Sequence, residues 1–151
     1  CDYVVGCDGV VLNPHYKTMG LTGSEYHTYS LPKRVGQEKA QSLLDECLPL
    51  SVSEAKSICM IDEVFESQNY FESLHNFVNN LVEDEDNYEE LIDKKKDRFY
   101  DDEDLMEEKK EKELAIMYDE FWCENSSFHS HRYNFVNKVK PKNTPKRLKD
   151  I

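Results

Sequence analysis

Charge is segregated along this chain, and that pattern limits how much of it can enter a folded core. Residues 82–125 hold 19 acidic and seven basic side chains, whereas residues 126–151 hold seven basic side chains and one acidic side chain. Segments with so many charges seldom enter a protein interior. Over all 151 residues, 33% are charged and 38% are hydrophobic, and the net charge is −12. We therefore expect one small folded domain with solvated ends.

Apolar residues recur at helical spacing in several stretches after residue 36, and Ser51 and Glu54 have the spacing of a capping box, which marks a helix start. The fold class that this pattern indicates is mainly α, as a small bundle of about four to five helices. The predicted helices span residues 37–48, 52–66, 68–82, 87–99 and 104–123.

The first 36 residues differ from the rest in being rich in glycine and poor in helical periodicity. Two β-favouring runs, residues 3–5 and 10–12, flank a glycine-containing turn, which is typical of a hairpin. Residues 13–36 are expected to be extended loop. The predicted organisation is an irregular or hairpin N-terminal arm (1–36), an acidic helical domain (37–125) and a basic C-terminal tail (126–151). Pro141 and Pro145 favour an extended conformation for the end of the tail.

The predicted core consists of two apolar helix faces, in residues 70–81 and 114–122. A chain this polar is expected to bury its single tryptophan, Trp122. Residues 107–113 contain no apolar side chain, so that part of the last helix is expected to be exposed.

Common catalytic motifs are missing from the sequence. It has no glycine-rich phosphate loop, no G-x-S-x-G turn and no H-E-x-x-H pair. The acidic runs are too hydrophilic to enclose a carboxyl group with a raised pKa, as a general acid requires. The segment that begins at Asp84 resembles the start of a calcium loop but places Glu89 where glycine is needed. These observations predict no catalytic residue, no cofactor and no enzyme activity.

His129, His131 and Cys123 are the candidates for a metal site. In an extended segment, the two imidazoles of an H-x-H pair point to the same side, as zinc ligands could. Three ligands are fewer than the usual four, and the sequence has no C-x-x-C pair. Ordinary surface histidines are therefore the favoured interpretation.

The basic tail is the candidate partner-binding segment. It combines basic side chains with Tyr133 and Phe135, which can neutralise phosphates and stack on RNA bases; it can also dock on an acidic protein surface. The predicted partner-binding residues are Arg132, Lys138, Lys140, Lys142, Lys146, Arg147 and Lys149.

Taken together, these features predict a non-enzymatic interaction or structural subunit of a larger protein assembly, held by its arm and its tail. Two alternatives stay open: an acidic nucleic-acid mimic that inhibits a DNA- or RNA-binding protein, and an enzyme of unrecognised type. The sequence does not indicate an oligomeric state.

Five cysteines, an odd number, favour reduced thiols and an intracellular location. A possible Cys1–Cys7 bridge and the sequon at Asn125 point instead to a secreted protein. A first residue other than methionine suggests a processed product or a fragment. The sequence contains no run of 18 apolar residues, so it predicts no membrane span.

Overall fold

A computed structural model of the protein describes residues 2–140, except for the side chain of residue 99. These residues form a mainly helical chain, which confirms the mainly α part of the predicted fold class. The helices are α1 (His27–Val35), α2 (Gln37–Glu46), α3 (Val52–Ser57), α4 (Tyr70–Glu83), α5 (Glu85–Asp101), α6 (Glu103–Trp122) and α7 (Ser127–Val136). The strands are β1 (Val5–Cys7), β2 (Val11–Leu12), β3 (Leu50–Ser51) and β4 (Glu63–Phe65), and a 3-10 helix spans Tyr16–Met19.

Helices α2, α4, α5 and α6 lie close to four of the predicted helices, but the helix predicted over residues 52–66 is wrong after Ser57. Helix α3 stops there, and Cys59 has a left-handed backbone with a φ of 61°. An α-helix of L-residues cannot continue through that conformation. The chain turns at this point and enters β4, so its apolar residues serve a strand instead of a helix.

The predicted N-terminal hairpin is also wrong, because β1 and β2 pair with later strands and not with each other. Strand β1 runs parallel to β4, with Val5 opposite Glu63. Strand β2 runs antiparallel to β3, with Val11 opposite Ser51. A Cβ atom on Gly6 would lie 2.9 Å from side-chain atoms of both Ile61 and Val52, so β1 approaches the core only because this residue is glycine.

The apolar core is small and lies around α3. Its buried residues are Val52, Ala55 and Ile61. The side chains packed against them are Leu12, Leu50, Met60 and Val64. The four cysteines that the structure describes beyond residue 1, Cys7, Cys47, Cys59 and Cys123, are free thiols.

The two helix faces predicted as the core do not form it. Leu74 and Phe77 of α4 are half-buried, and Trp122 is 73% exposed. The reason for the second error is that most apolar residues of 114–122 are exposed, whereas the buried side chain of α6 is the carboxylate of Glu113.

Two further segments are helical where the sequence predicted extended chain. Helix α1 lies within the predicted loop 13–36 and tolerates Pro32 in its interior. Helix α7 lies within the predicted basic tail, and its first turn is capped by the Ser126 hydroxyl, which accepts a hydrogen bond from the Phe128 amide. Residues 141–151, which include both prolines of the tail, lie outside the described residues. The division into arm, acidic domain and tail stays a prediction.

None of the helices within residues 2–140 has the length and apolar character needed to cross a lipid bilayer.

Candidate functional site

The loop between the 3-10 helix and α1 has an unusual backbone. Gly23, Glu25 and Tyr26 have φ angles of 95°, 74° and 59°, in the left-handed region. Residues other than glycine seldom adopt this region, and two in succession are held only where the surroundings fix them. Strained segments of this kind are found disproportionately at functional sites. We call residues 23–28 the strained loop.

One buried carboxylate of α6 fixes the strained loop. Glu113 is 3% exposed. It accepts hydrogen bonds from the amides of Tyr26 and Thr28, both at 2.9 Å, and from the Thr28 hydroxyl at 2.5 Å. The His27 Nδ1 atom lies 3.5 Å from the same carboxylate and 3.0 Å from the carbonyl oxygen of Ser24. Three hydrogen-bond donors of the loop therefore bind one side chain, that of Glu113.

These donors also decide the charge of Glu113. Burial by itself would raise the pKa of this carboxyl group. The hydrogen bonds from the hydroxyl and amide of Thr28 and from the amide of Tyr26 outweigh burial, and the pKa of Glu113 lies below its ordinary value. The group is therefore an anion at neutral pH and is unsuited to act as a general acid.

Two more carboxylates of the same helix hold the chain on either side of the strained loop. Glu120 accepts from both the amide and the hydroxyl of Thr22, each at 2.6 Å. Asp102, the residue immediately before α6, accepts from the Tyr29 hydroxyl at 2.8 Å and from Lys33 Nζ at 2.9 Å.

Asp102, Glu113 and Glu120 lie about three and two turns apart along α6, so they share one side of the helix. We call them the carboxylate row. The hydrogen bonds from Lys33 and then Tyr29 lower the pKa of Asp102, against a smaller opposing effect of burial. All three positions therefore present acceptors to donors of residues 22–33.

The groups that remain on the outside of the strained loop are the candidates for chemistry. Glu25 and Tyr26 are exposed. The ring of Tyr16 packs beneath Gly23, where an added Cβ would lie 3.0 Å from it, and its centroid is 6.0 Å from that of His27. The Glu25 carboxylate and the Tyr26 phenol are thus exposed on a loop whose backbone is hydrogen-bonded to Glu113.

Helix α7 supports the chain that leads into this loop. A Cβ atom on Gly20 would lie 2.8 Å from the Phe128 amide nitrogen and 2.8 Å from His131 Nδ1. The first turn of α7 therefore touches the backbone directly where the 3-10 helix ends. Among residues 2–140, His27 Nε2 and Glu120 Oε2 are buried polar atoms near the loop without a hydrogen-bond partner.

Comparison with known proteins identifies what this arrangement resembles. No family model matches the chain. It is 35% identical to the hydrogenase maturation factor HoxX of Bradyrhizobium diazoefficiens, over 95% of this chain and 26% of HoxX. It superposes with a TM-score of 0.87 on the crystal structure of HypX from Aquifex aeolicus in complex with tetrahydrofolic acid, with 38% identity over 98% of this chain and 27% of HypX. The chain thus spans about a quarter of the length of these relatives.

Enzymes of another group share the architecture at much lower identity. An enoyl-CoA hydratase/isomerase from Pseudoalteromonas atlantica superposes with a TM-score of 0.78 and 18% identity, over 95% of this chain and 56% of the enzyme. The chain has an enoyl-CoA hydratase-like fold. At 18% identity, this likeness concerns the fold alone.

These similarities overturn the function inferred from the sequence. The predictions of a non-enzymatic structural subunit and of an acidic nucleic-acid mimic are wrong, because the chain resembles the hydrogenase maturation factors HoxX and HypX and has an enoyl-CoA hydratase-like fold. The predicted bundle of four to five helices is not confirmed, since the structure has seven helices and four short strands within residues 2–140. Charge segregation misled the interpretation because most charged side chains of α5 and α6 are simply exposed to solvent.

The predicted metal ligands lie at the junction of α6 and α7. Residues 129 and 131 belong to a helix, so the same-side geometry of an extended H-x-H pair does not apply. His129 Nε2 is 3.1 Å from the carbonyl oxygen of Cys123, and His131 Nδ1 is 2.9 Å from that of Ser127. The part of the chain that the structure describes contains no group of three or more potential metal ligands. The expectation that these are ordinary surface histidines, and not metal ligands, stays a prediction.

Only part of the predicted partner-binding set can be located. Arg132 lies on α7, and Lys138 and Lys140 follow it; all three are exposed, as are the neighbouring Tyr133 and Phe135. The other predicted residues lie outside the described part of the chain: Lys142, Lys146, Arg147 and Lys149. A partner for these cations stays a prediction.

Sequence reasoning missed Glu25 and Glu113 and placed the latter in an exposed turn. That expectation is wrong because the donors that bury Glu113 come from residues 26–28, which are remote in sequence. The one local signal for the strained loop is the segment Gly20–Glu25, in which two glycines, a threonine and a serine precede a carboxylate.

Proposed function

We propose that this chain is part of the enoyl-CoA hydratase-like portion of a hydrogenase maturation factor. The observation that supports this most strongly is the 35% identity to HoxX along 95% of the chain. The similarity to HypX at 38% identity points the same way. Both relatives are about four times longer than the chain, so the complete activity would require further protein. The proposal includes an intracellular location.

Within this portion, we assign the strained loop as the place where the chain contacts substrate, and Glu25 as the contacting carboxylate. A carboxylate beside a thioester carbonyl can take a proton from the adjacent carbon or return one, and a phenol such as that of Tyr26 can donate a hydrogen bond to the carbonyl oxygen. The enzymes that share the fold are named for acyl-CoA substrates. An acyl thioester of coenzyme A is therefore the substrate class that we propose.

The test replaces the matching quarter of HoxX with this chain and asks whether the chimera restores hydrogenase activity to Bradyrhizobium diazoefficiens lacking HoxX. We expect restoration by the chimera and loss of most of it in Glu25→Gln, which removes the proton-accepting oxygen. Glu38→Gln, at an exposed carboxylate of α2, is the matched control and should keep the activity. A soluble chimera without activity would contradict the proposal.

A binding measurement separates two substrate classes, because one HypX structure contains tetrahydrofolic acid. Titration of the purified chimera with acetyl-CoA and with tetrahydrofolate should show that Glu25→Gln alters the affinity for acetyl-CoA alone. An effect on tetrahydrofolate alone would exclude the thioester assignment for this loop.

A further inference from the structure

We propose that Glu113 is a positioning residue, which holds the strained loop in its left-handed conformation and thereby sets the direction of the Glu25 carboxylate. Glu120 holds Thr22, the residue immediately before the loop. This inference rests on the proposed function, since it requires that Glu25 contact the substrate.

The hydrogen-bond pattern supports a positioning role more than a general contribution to packing. The two amides that Glu113 binds belong to Tyr26 and Thr28, which bracket His27. Fixing both amides fixes the backbone dihedral angles between them. Glu25 lies immediately before this bracket, and Thr22, which Glu120 binds, lies three residues before Glu25. The exposed carboxylate of Glu25 therefore lies in a segment that hydrogen bonds hold on both sides.

The hydrogen bonds to Glu113 and Glu120 oppose the ordinary backbone preference of the loop residues. Glu25 and Tyr26 both carry a Cβ atom, and left-handed conformations are minor states for such residues. Without the carboxylate, the loop would relax toward the ordinary region of φ. That rotation would swing the Cα–Cβ bond of Glu25 and move its carboxylate away from the present position.

Both carboxylate oxygens of Glu113 accept hydrogen bonds from the loop. Glu113 Oε1 receives the amide and the hydroxyl of Thr28, and Oε2 receives the amide of Tyr26. Glutamine has the same size but offers an N–H group in place of one oxygen, which would face a donor of the loop. The pKa of Glu113 below its ordinary value agrees with an anion that these donors stabilise.

Thr28 gives a milder way to test the same contact than removing a buried charge. Valine has nearly the shape of threonine but lacks the hydroxyl that Glu113 accepts, whereas serine keeps it. In the HoxX chimera, we expect Thr28→Val and Glu113→Gln to lower restored hydrogenase activity per unit of soluble protein by about tenfold or more, because small displacements of a reacting group are costly. Thr28→Ser should keep the activity, and so should Glu111→Gln, at an exposed carboxylate of the same helix.

Hydrogen exchange, followed by mass spectrometry on the peptide spanning residues 22–30, gives a readout that does not depend on activity. Exchange should be faster in Thr28→Val and Glu113→Gln and unchanged in Thr28→Ser.

The outcomes separate the inference from the function on which it rests. An inactive parent chimera contradicts the proposed function. An active parent with fully active Thr28→Val and Glu113→Gln, despite faster exchange, overturns the positioning role alone. A fall in activity that only follows the loss of soluble protein also overturns it, since that is what a purely structural role would give. If Glu113→Gln does not accumulate as soluble protein, the comparison of Thr28→Val with Thr28→Ser tests the positioning role.

Discussion

Two regions of the molecule are held by opposite kinds of interaction. Around α3, three buried apolar residues, Val52, Ala55 and Ile61, exclude water from a compact core. Along α6, the carboxylate row accepts hydrogen bonds from residues 22–33. Its buried member, Glu113, carries a charge, whereas the buried residues around α3 are apolar. Apolar contacts are non-directional and tolerate small shifts, whereas hydrogen bonds to a buried anion fix directions. The comparison suggests that the core maintains the fold while the carboxylate row defines the shape of one loop.

The largest effect should come from removing the buried anion. Glu113→Ala leaves three donors of the strained loop without an acceptor, and each unpaired buried group is costly. We expect a loss of about 4 kcal/mol in the free energy of unfolding, measured by urea denaturation. Glu111→Ala, an exposed neighbour on α6, should change it by less than about 0.5 kcal/mol. A loss below about 1 kcal/mol in Glu113→Ala would show that water replaces the carboxylate and would weaken the contrast.

The apolar region should respond nearly as strongly to a cavity. Ile61→Ala removes a buried side chain beside Val52 and should cost about 3 kcal/mol in the same assay. Ile116→Ala is the matched control, because that isoleucine is 43% exposed on α6. Its cost should stay below about 1 kcal/mol. Equal losses at the two positions would mean that the core extends along α6.

Acid should affect the two regions differently. The pKa of Glu113 is below its ordinary value of 4.5 in the folded protein, so the unfolded chain takes up a proton first as the pH falls. Its stabilising contribution is therefore complete above pH 4.5 and is lost as the pH falls from there toward the folded-state pKa.

The free energy of unfolding, measured by urea denaturation at a series of pH values, should decline over this range. The decline should be shallower in Glu113→Gln than in the parent, while Ile61→Val should leave the slope unchanged. A parent and a Glu113→Gln variant with the same slope would contradict the assignment.

The smallest effect is expected at the tryptophan. Trp122 is 73% exposed at the end of α6, so Trp122→Ala should change the free energy of unfolding by less than about 0.5 kcal/mol. Urea denaturation checks this value. A cost of several kcal/mol would place Trp122 in a packed interface and would revive the core predicted from the sequence.

The features that could be predicted from the sequence are local ones. The capping box is confirmed in both directions: the Glu54 amide donates to the Ser51 hydroxyl, and the Ser51 amide donates to the Glu54 carboxylate. The periodic helices α4, α5 and α6 follow from spacing in the same way. These elements depend on contacts within a few residues, which a linear pattern records.

The features that could not be predicted depend on distant partners. Strand β1 finds β4 across 58 positions, and Glu113 is buried by donors 85 and 87 positions earlier in the chain. The apolar pattern of residues 114–122 carries no mark of which side of α6 faces inward. Neither the strained loop nor its carboxylate is recognisable until the two segments are brought together.

The parallel pairing of β1 with β4 has a consequence for how the molecule assembles. Individual helices form within about a microsecond. The two strands, by contrast, cannot meet until the chain between Val5 and Glu63 has closed, and the entropy of that closure must be overcome before any core contact compensates for it. Helical signal should therefore appear well before the interior around α3 becomes protected from solvent.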